Sequence, residues 1–382
     1  MNCKAEFSRF LGAVPGRLHF AAHSHHPWPD VSYAAQQQAW LDAAALIDDK
    51  WDQVFGELLP RAQAQVARRL NLPDPASLCF APSTHELLMR LLSCLERRPL
   101  RALTTDGEFH SFARQLRRLE EAGLAQAERI AVEPYEDFPA RLAAAAARGG
   151  HDLVYFSQCF FNSGYRLEDL GAVVAAVPDP QTLVVIDGYH GFMAVPTDLA
   201  AVAARAFYLA GGYKYAMSGE GVCFMHCPPG YAARPVDTGW FAGFAALSRG
   251  AAEIPYGPGG LRFMGATYDP VGLYRLLAVM EWLDRAELTP ARIHRQVRAL
   301  QERFLAGLGA GHGLRREWLT PPAGLARGNF LCFRHPRAGE LHQRLKQRGV
   351  ISDYREDRLR IGFGVYHDEA DVDELLTRCA GL

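Results

Sequence analysis

Residues 206–215 read Ala-Phe-Tyr-Leu-Ala-Gly-Gly-Tyr-Lys-Tyr. A run of apolar and aromatic residues closed by a glycine pair predicts a buried strand that ends in a tight loop. Lys214 stands just beyond that strand end, between Tyr213 and Tyr215, which is not the setting of a surface lysine. Upstream, Leu183-Val184-Val185-Ile186 predicts a second buried strand. It ends in Asp187, followed by Gly188-Tyr189-His190. The spacing from Asp187 to Lys214 leaves room for one crossover helix between neighbouring parallel strands. Both side chains are then expected in one cleft, at the carboxyl ends of the strands.

The alternation of strand and helix extends on both sides. Further strands are expected at 78–80, 101–105, 127–132, 153–157 and 222–226. Helices are expected at 86–97, 112–122, 138–148 and 167–177. Ahead of them, 34–70 reads as helix, with Trp40, Leu41, Ala44, Ile47 and Trp51 at helical spacing. From about residue 270 the pattern changes to helices at 271–285 and 290–308, then strand 328–334, helix 340–349, strand 359–363 and helix 368–376. The fold class is therefore α/β. A large unit, 51–270, carries a mainly parallel sheet flanked by helices, and a smaller C-terminal α/β unit spans 271–382.

Composition narrows the function. The chain has 382 residues, 49% of them hydrophobic and 22% charged, with a net charge of −1. That balance gives no electrostatic footprint for nucleic acid or an anionic membrane. Eight cysteines are scattered without a Cys-x-x-Cys pair, the pattern of a reduced, intracellular protein. Cys223, His226 and Cys227 lack the second ligand pair of a zinc site, so no metal is expected. With neither a signal pattern nor an apolar run of 18 residues, the expected location is cytoplasmic.

A lysine and an aspartate at neighbouring strand ends suit pyridoxal phosphate. The amine condenses with its aldehyde, and the carboxylate keeps the ring nitrogen protonated so that the ring acts as an electron sink. Tyr213 can donate its hydroxyl to a phosphate. Ser83 and Thr84 open a helix, where N–H groups and hydroxyls make an anion site, although an ordinary N-cap has the same appearance. Phe109, just past the strand 101–105, can stack on a pyridine ring. His190 is expected to contact cofactor or substrate, or to be a structural histidine. Arg360, inside the apolar strand 359–363, requires an anion, either a substrate carboxylate or one from the protein.

Taken together, these residues resemble the kynureninases, in the class V branch of the fold-type I pyridoxal-phosphate enzymes. Gly211 to Tyr215 resembles the family's lysine motif, and Ser218-Gly219-Glu220-Gly221 the loop after it. Asp187 to His190 matches Asp-x-x-His, and Phe109-His110-Ser111 resembles Phe-Pro-Ser. Gly239-Trp240-Phe241 resembles a Gly-Trp pair near the substrate and cofactor. The segment Arg262 to Thr267 resembles one that approaches the partner's cofactor phosphate through Thr267. Asp353-Tyr354-Arg355, then Leu359-Arg360, resembles the segment whose arginine holds the substrate carboxylate.

The resemblance implies a homodimer with sites between subunits, and an N-terminal segment, 1–50, packed on the small unit and the active site. It implies a small amino-acid substrate. Lys214 would remove the α-proton, water would add to a side-chain ketone, and Cβ–Cγ cleavage would release alanine. The chain departs from the family at two places. His23-Ser24-His25-His26 stands where Asn-Ser-Leu-Gly is usual, and Ala242-Gly243 replaces a histidine after Gly-Trp-Phe. Both places touch the aryl end of the substrate in the family, so Ser24 and His25 are expected to line the substrate mouth. Kynurenine itself carries over less well than the cofactor chemistry. A class V aminotransferase or another lyase would use the same cofactor residues. A cysteine desulfurase needs an exposed nucleophile, whereas Cys332 lies inside an apolar strand. A non-catalytic binding protein would have no need of both the lysine and the aspartate.

Overall fold

The apolar runs at 183–187 and 206–210 are neighbouring parallel strands, with Val184 opposite Ala206 and Asp187 opposite Leu209. The structure is a computed structural model that describes residues 3–246 and 253–382. Its strands in chain order are β1 (Leu18–His19), β2 (Leu78–Ala81), β3 (Leu100–Thr105), β4 (Ala125–Ile130), β5 (Leu153–Ser157) and β6 (Leu183–Asp187). There follow β7 (Ala206–Gly211), β8 (Cys223–His226), β9 (Phe330–Arg334), β10 (Val350–Ile351), β11 (Asp353–Arg355) and β12 (Arg358–Gly362). One seven-stranded sheet has the order β2-β8-β7-β6-β5-β3-β4. Only β8 runs against its neighbours β2 and β7; the other pairings are parallel.

Strands β5 and β7 are buried along their whole length, as expected of parallel strands covered on both faces. The edge strand β4 instead buries only Ala125 fully and turns Gln126, Glu128 and Arg129 toward solvent, charges that discourage pairing with another chain. Helices Thr84–Leu92, His110–Glu121, Phe138–Ala147 and Leu170–Ala176 lie between the strands in sequence.

Two sequence expectations are corrected. No helix joins β6 to β7; residues 188–205 run in turns. The chain is held flat against the sheet end there. A Cβ at Gly188 would lie 1.9 Å from the Tyr208 ring, and one at Gly191 would lie 2.0 Å from Gln158 Oε1. Nor is 34–70 one helix. Asp30–Leu46 stops at Ile47, whose φ is 52°, and the helix resumes through Lys50–Gln53 and a π turn, Val54–Leu58, into Leu59–Leu70. The second part buries Leu58, Leu59, Val66 and Leu70, whereas Trp40, Leu41 and Ile47 of the first part face outward. One straight helix cannot serve both faces.

C-terminal to the large sheet, β11, β12 and β9 form a three-stranded antiparallel sheet. The N-terminal segment is stitched to this region. Strand β1 pairs in parallel with β10, and Ala21 bridges Gly362. A few residues later the His26 N–H donates to the Tyr213 carbonyl at 3.3 Å, so the same segment reaches the loop that carries Lys214. Among the described residues no helix is long and apolar enough to cross a membrane.

Candidate active site

A cavity of about 240 Å³ opens at the carboxyl ends of β5, β6 and β7. Ser83, Thr84, Phe109, Asp187, His190, Tyr213 and Lys214 all line it, so seven of the sequence-derived candidates are brought together. The loop after β7 is shaped by close packing. A Cβ at Gly211 would lie 2.3 Å from Tyr189 Oη and 2.5 Å from Cys223 Sγ, and one at Gly212 would lie 2.5 Å from Val222. The glycine pair thus lets the loop seat against the protein's own side chains and turn Lys214 inward.

The chain has four lysines, Lys4, Lys50, Lys214 and Lys346, and Lys214 alone is buried, at 3% exposure. Its Nζ lies 3.4 Å from His190 Nδ1 and stands 4.5 Å from the centre of the Tyr189 ring and 5.1 Å from that of Phe109. Burial pushes the amine down to about 7, with Asp187 pulling the other way. A large fraction is therefore the neutral, nucleophilic amine near neutral pH. His190 is held well below its ordinary value by burial and then by Lys214, so its ring is neutral.

Asp187 ends β6 and faces the cavity. Tyr155 Oη donates to its Oδ2 at 3.0 Å, and the Tyr189 N–H donates to its Oδ1 at 2.9 Å. Burial raises this carboxyl, and these two hydrogen bonds and Lys214 oppose the rise. Tyr155 is itself fixed by Phe112, whose ring stacks on it at 3.6 Å between centroids. Ser83 caps the helix Thr84–Leu92, its Oγ accepting from the Glu86 N–H at 3.2 Å, so this helix start points into the cavity with its cap intact.

Other candidates lie around this centre. Arg360, on β12, is buried, and its Nε and a terminal nitrogen both meet Asp353 Oδ1, at 2.7 and 2.5 Å. It also donates to the carbonyl of Phe161, a cavity-lining residue. His25 pairs with Glu220 at 2.7 Å, and Glu220 lines the cavity, while Ser24 beside it is half-buried. Trp240 and Thr267 do not line the cavity of their own chain. They bond each other, Trp240 Nε1 donating to Thr267 Oγ1 at 2.9 Å.

Sequence reasoning missed Tyr155 and Glu108. Glu108 directly precedes Phe109 in the sequence, yet it is buried and links two strand ends. Thr105 Oγ1 and Ser157 Oγ each lie 2.6 Å from its carboxyl. Burial pushes it up to about 8, against those hydrogen bonds. His226 uses both ring nitrogens, on Ser77 and on the Ala203 carbonyl, and among the described residues no cluster of three or more His, Cys, Asp or Glu could hold an ion. Cys332 is fully buried, and burial pushes its thiol up to about 12.

Known proteins match this architecture in two ways. Solved structures share the fold along nearly the whole chain. An apo cysteine desulfurase from Thermococcus onnurineus NA1 has a TM-score of 0.80 at 16% identity, covering 99% of this chain and 97% of that one. The cystine C-S lyase C-DES, in complex with its product cysteine persulfide, has a TM-score of 0.79 at 18% identity, covering 97% and 98%. The fold is accordingly that of the fold-type I pyridoxal-phosphate enzymes.

In sequence the chain is kynureninase-like. Residues 293–378 match the kynureninase C-terminal domain family. A kynureninase of Burkholderia mallei (strain SAVP1) is 31% identical over 210 residues, 53% of this chain and 49% of that protein. A kynureninase of Deinococcus radiodurans is 27% identical over 238 residues, 60% and 56%. The matched stretches thus span about half the length of these curated relatives.

Proposed function

We propose that this chain is a pyridoxal-phosphate-dependent enzyme acting on an amino acid, by kynureninase-like hydrolytic cleavage of a Cβ–Cγ bond with release of alanine. The observation that carries this reading is the single buried lysine of the chain sharing one cavity with Asp187. The donor set fits the cofactor: an amine held near neutrality, a carboxylate, and a hydroxyl-bearing helix start for a phosphate. When bound, pyridoxal phosphate supplies a ring that takes up the electron pair left at Cα as a bond there breaks.

Each residue has a role in this reading. Lys214 holds the cofactor and afterwards moves the proton at Cα, a task suited to an amine of depressed basicity. Asp187, fixed by Tyr155 and the Tyr189 N–H, is the anionic partner of the ring nitrogen. Ser83, Thr84 and Tyr213 hold the phosphate, Phe109 covers one face of the ring, and His190 stands beside the amine. Arg360 receives the substrate carboxylate, and Ser24 and His25 border the mouth. Buried, high-pKa Cys332 is unsuited to a desulfurase's nucleophile.

The working unit is a homodimer, in which Trp240 and Thr267 serve the partner's site. Trp40, 71% exposed, together with exposed Leu41 and Ile47, supplies an apolar surface for the contact. The division into 51–270 and 271–382, with 1–50 covering the site, belongs to this proposal, as does a cytoplasmic location, supported by eight free cysteines.

Incubation with kynurenine, 3-hydroxykynurenine and other γ-keto amino acids, with an assay for alanine, tests the reaction. Alanine from one of them supports it. No alanine, together with amination of an added keto acid, replaces it with an aminotransferase.

A further inference from the structure

His23 is the one residue of the His23–His26 stretch with no evident purpose. Its side chain is fully buried, and neither ring nitrogen has a hydrogen-bond partner among the described residues. Leaving a buried polar group unsatisfied is costly, because the hydrogen bonds it made to water are not replaced. The ring stacks on Phe330, at 4.5 Å between centroids and 22° between planes. Its Nδ1 edge is pressed against Gly362, where an added Cβ would lie only 2.1 Å away. The opposite nitrogen, Nε2, is turned to Asp353 and stops 4.0 Å from Oδ1. Burial first, then neighbouring Arg360, His190 and Lys214, keep the ring neutral, so it can offer Asp353 a plain N–H.

That same oxygen is the one Arg360 occupies. Both Arg360 contacts fall on Asp353 Oδ1, while among the described residues Oδ2 meets Arg355 alone, at 3.4 Å. A guanidinium binds a carboxylate best when two nitrogens meet two oxygens. The Arg360–Asp353 pair uses one oxygen, so an incoming carboxylate able to use both has the better geometry. Closing the His23–Asp353 gap to hydrogen-bond length needs a shift of about 1 Å.

We propose that Asp353 is an exchangeable counter-ion: it neutralises Arg360 while the site is empty and passes to His23 when the carboxylate of an amino-acid substrate takes Arg360. His23 is then a positioning residue for carboxylate recognition. It satisfies Asp353 at the moment Arg360 lets go, and its own unmade hydrogen bond is completed only in the liganded enzyme. The proposal rests on the reading of Arg360 given above.

The test uses the holoenzyme with two probes, L-alanine and L-alaninamide, which differ in the carboxylate. Binding is read from the absorbance change of the bound cofactor, with no turnover needed. In the wild type, L-alanine should bind more tightly. His23→Leu should weaken L-alanine by about tenfold or more, the value of a hydrogen bond to a charged group, and leave L-alaninamide within about twofold. His23→Asn, which keeps a donor, should recover most of the loss, and it serves also if the leucine variant fails to fold. On an Asp353→Asn background, His23→Leu should change L-alanine binding by less than about twofold, because no exchange remains to support. Equal losses for both probes, or an undiminished effect on that background, overturn the proposal. Cofactor uptake without any response to L-alanine also overturns it while leaving the cofactor reading intact. A wild type that takes up no pyridoxal phosphate overturns both.

Discussion

Replacing Glu108 by glutamine should change how stability depends on pH. The side chain is 4% exposed, its carboxyl accepts from the Thr105 hydroxyl and the Ser157 N–H, and it shares a short contact with the Ser157 hydroxyl. Burial raises it from 4.5 to about 8 in the folded protein. The folded state therefore keeps a proton that the unfolded chain releases. The stability this contributes is fully present below about 4.5 and is lost as pH rises through about 8. Holding one proton over that interval is worth roughly 1.4 kcal/mol per pH unit. Relative to Glu108→Gln, the wild type should lose on the order of 4 kcal/mol between pH 4.5 and 8.5. Glutamine keeps the length and the acceptor and stays neutral throughout. Lys214 contributes with the opposite sign, since its amine falls from 10.5 to about 7 on folding, but it is common to both proteins and cancels in the difference. Urea unfolding of both proteins from pH 5 to 9 reads the effect. The gap between variant and wild type should widen steadily up to about pH 8 and then level off. Parallel curves across that range would refute a buried, titrating Glu108.

Three further outcomes are expected. Tyr155→Phe removes the hydroxyl that donates to Asp187, and it should lower stability by about 1.5–3 kcal/mol in urea unfolding at pH 7 and speed cofactor loss on dialysis. Uptake of pyridoxal phosphate by the apoprotein, followed by stopped-flow absorbance, should rise about tenfold per pH unit below 7 and flatten above about 8, because only the neutral amine of Lys214 attacks. The pair Trp40→Glu and Leu41→Glu should halve the mass seen in sedimentation velocity while leaving the circular dichroism spectrum unchanged, since both side chains are on the surface of the single chain.

The parallel core was legible because strands covered on both faces read as unbroken apolar runs, as in Leu183–Asp187 and Leu153–Ser157. The meeting of Lys214 and Asp187 was legible for a related reason: both follow such runs, and neighbouring parallel strands deliver their ends to the same edge. What surrounds them was not. Tyr155 sits inside an apolar strand, where a tyrosine reads as core, and its hydroxyl has a purpose only because β6 lies beside β5. Glu108 lies just past the end of β3, and its partner Ser157 is 49 positions away. The break at Ile47 was hidden because apolar spacing runs straight through it; burial of Leu58 and Val66 decides which half meets the core. The turns of 188–205 have a length that suits a helix equally well, and Tyr208 under Gly188 decides between them. Arg360 was legible as needing an anion, but its pairing with Asp353 depends on two strands meeting antiparallel, with Asp353 opposite Arg360.

Attachment of pyridoxal phosphate to Lys214 is tested most directly by loading the protein with the cofactor, reducing it with borohydride, and mapping the digest by mass spectrometry. The cofactor should be found on the peptide carrying Lys214, not on those carrying Lys4, Lys50 or Lys346, and it should disappear in Lys214→Ala. Label spread over the other lysines, or a wild type that takes up no cofactor, would contradict the assignment.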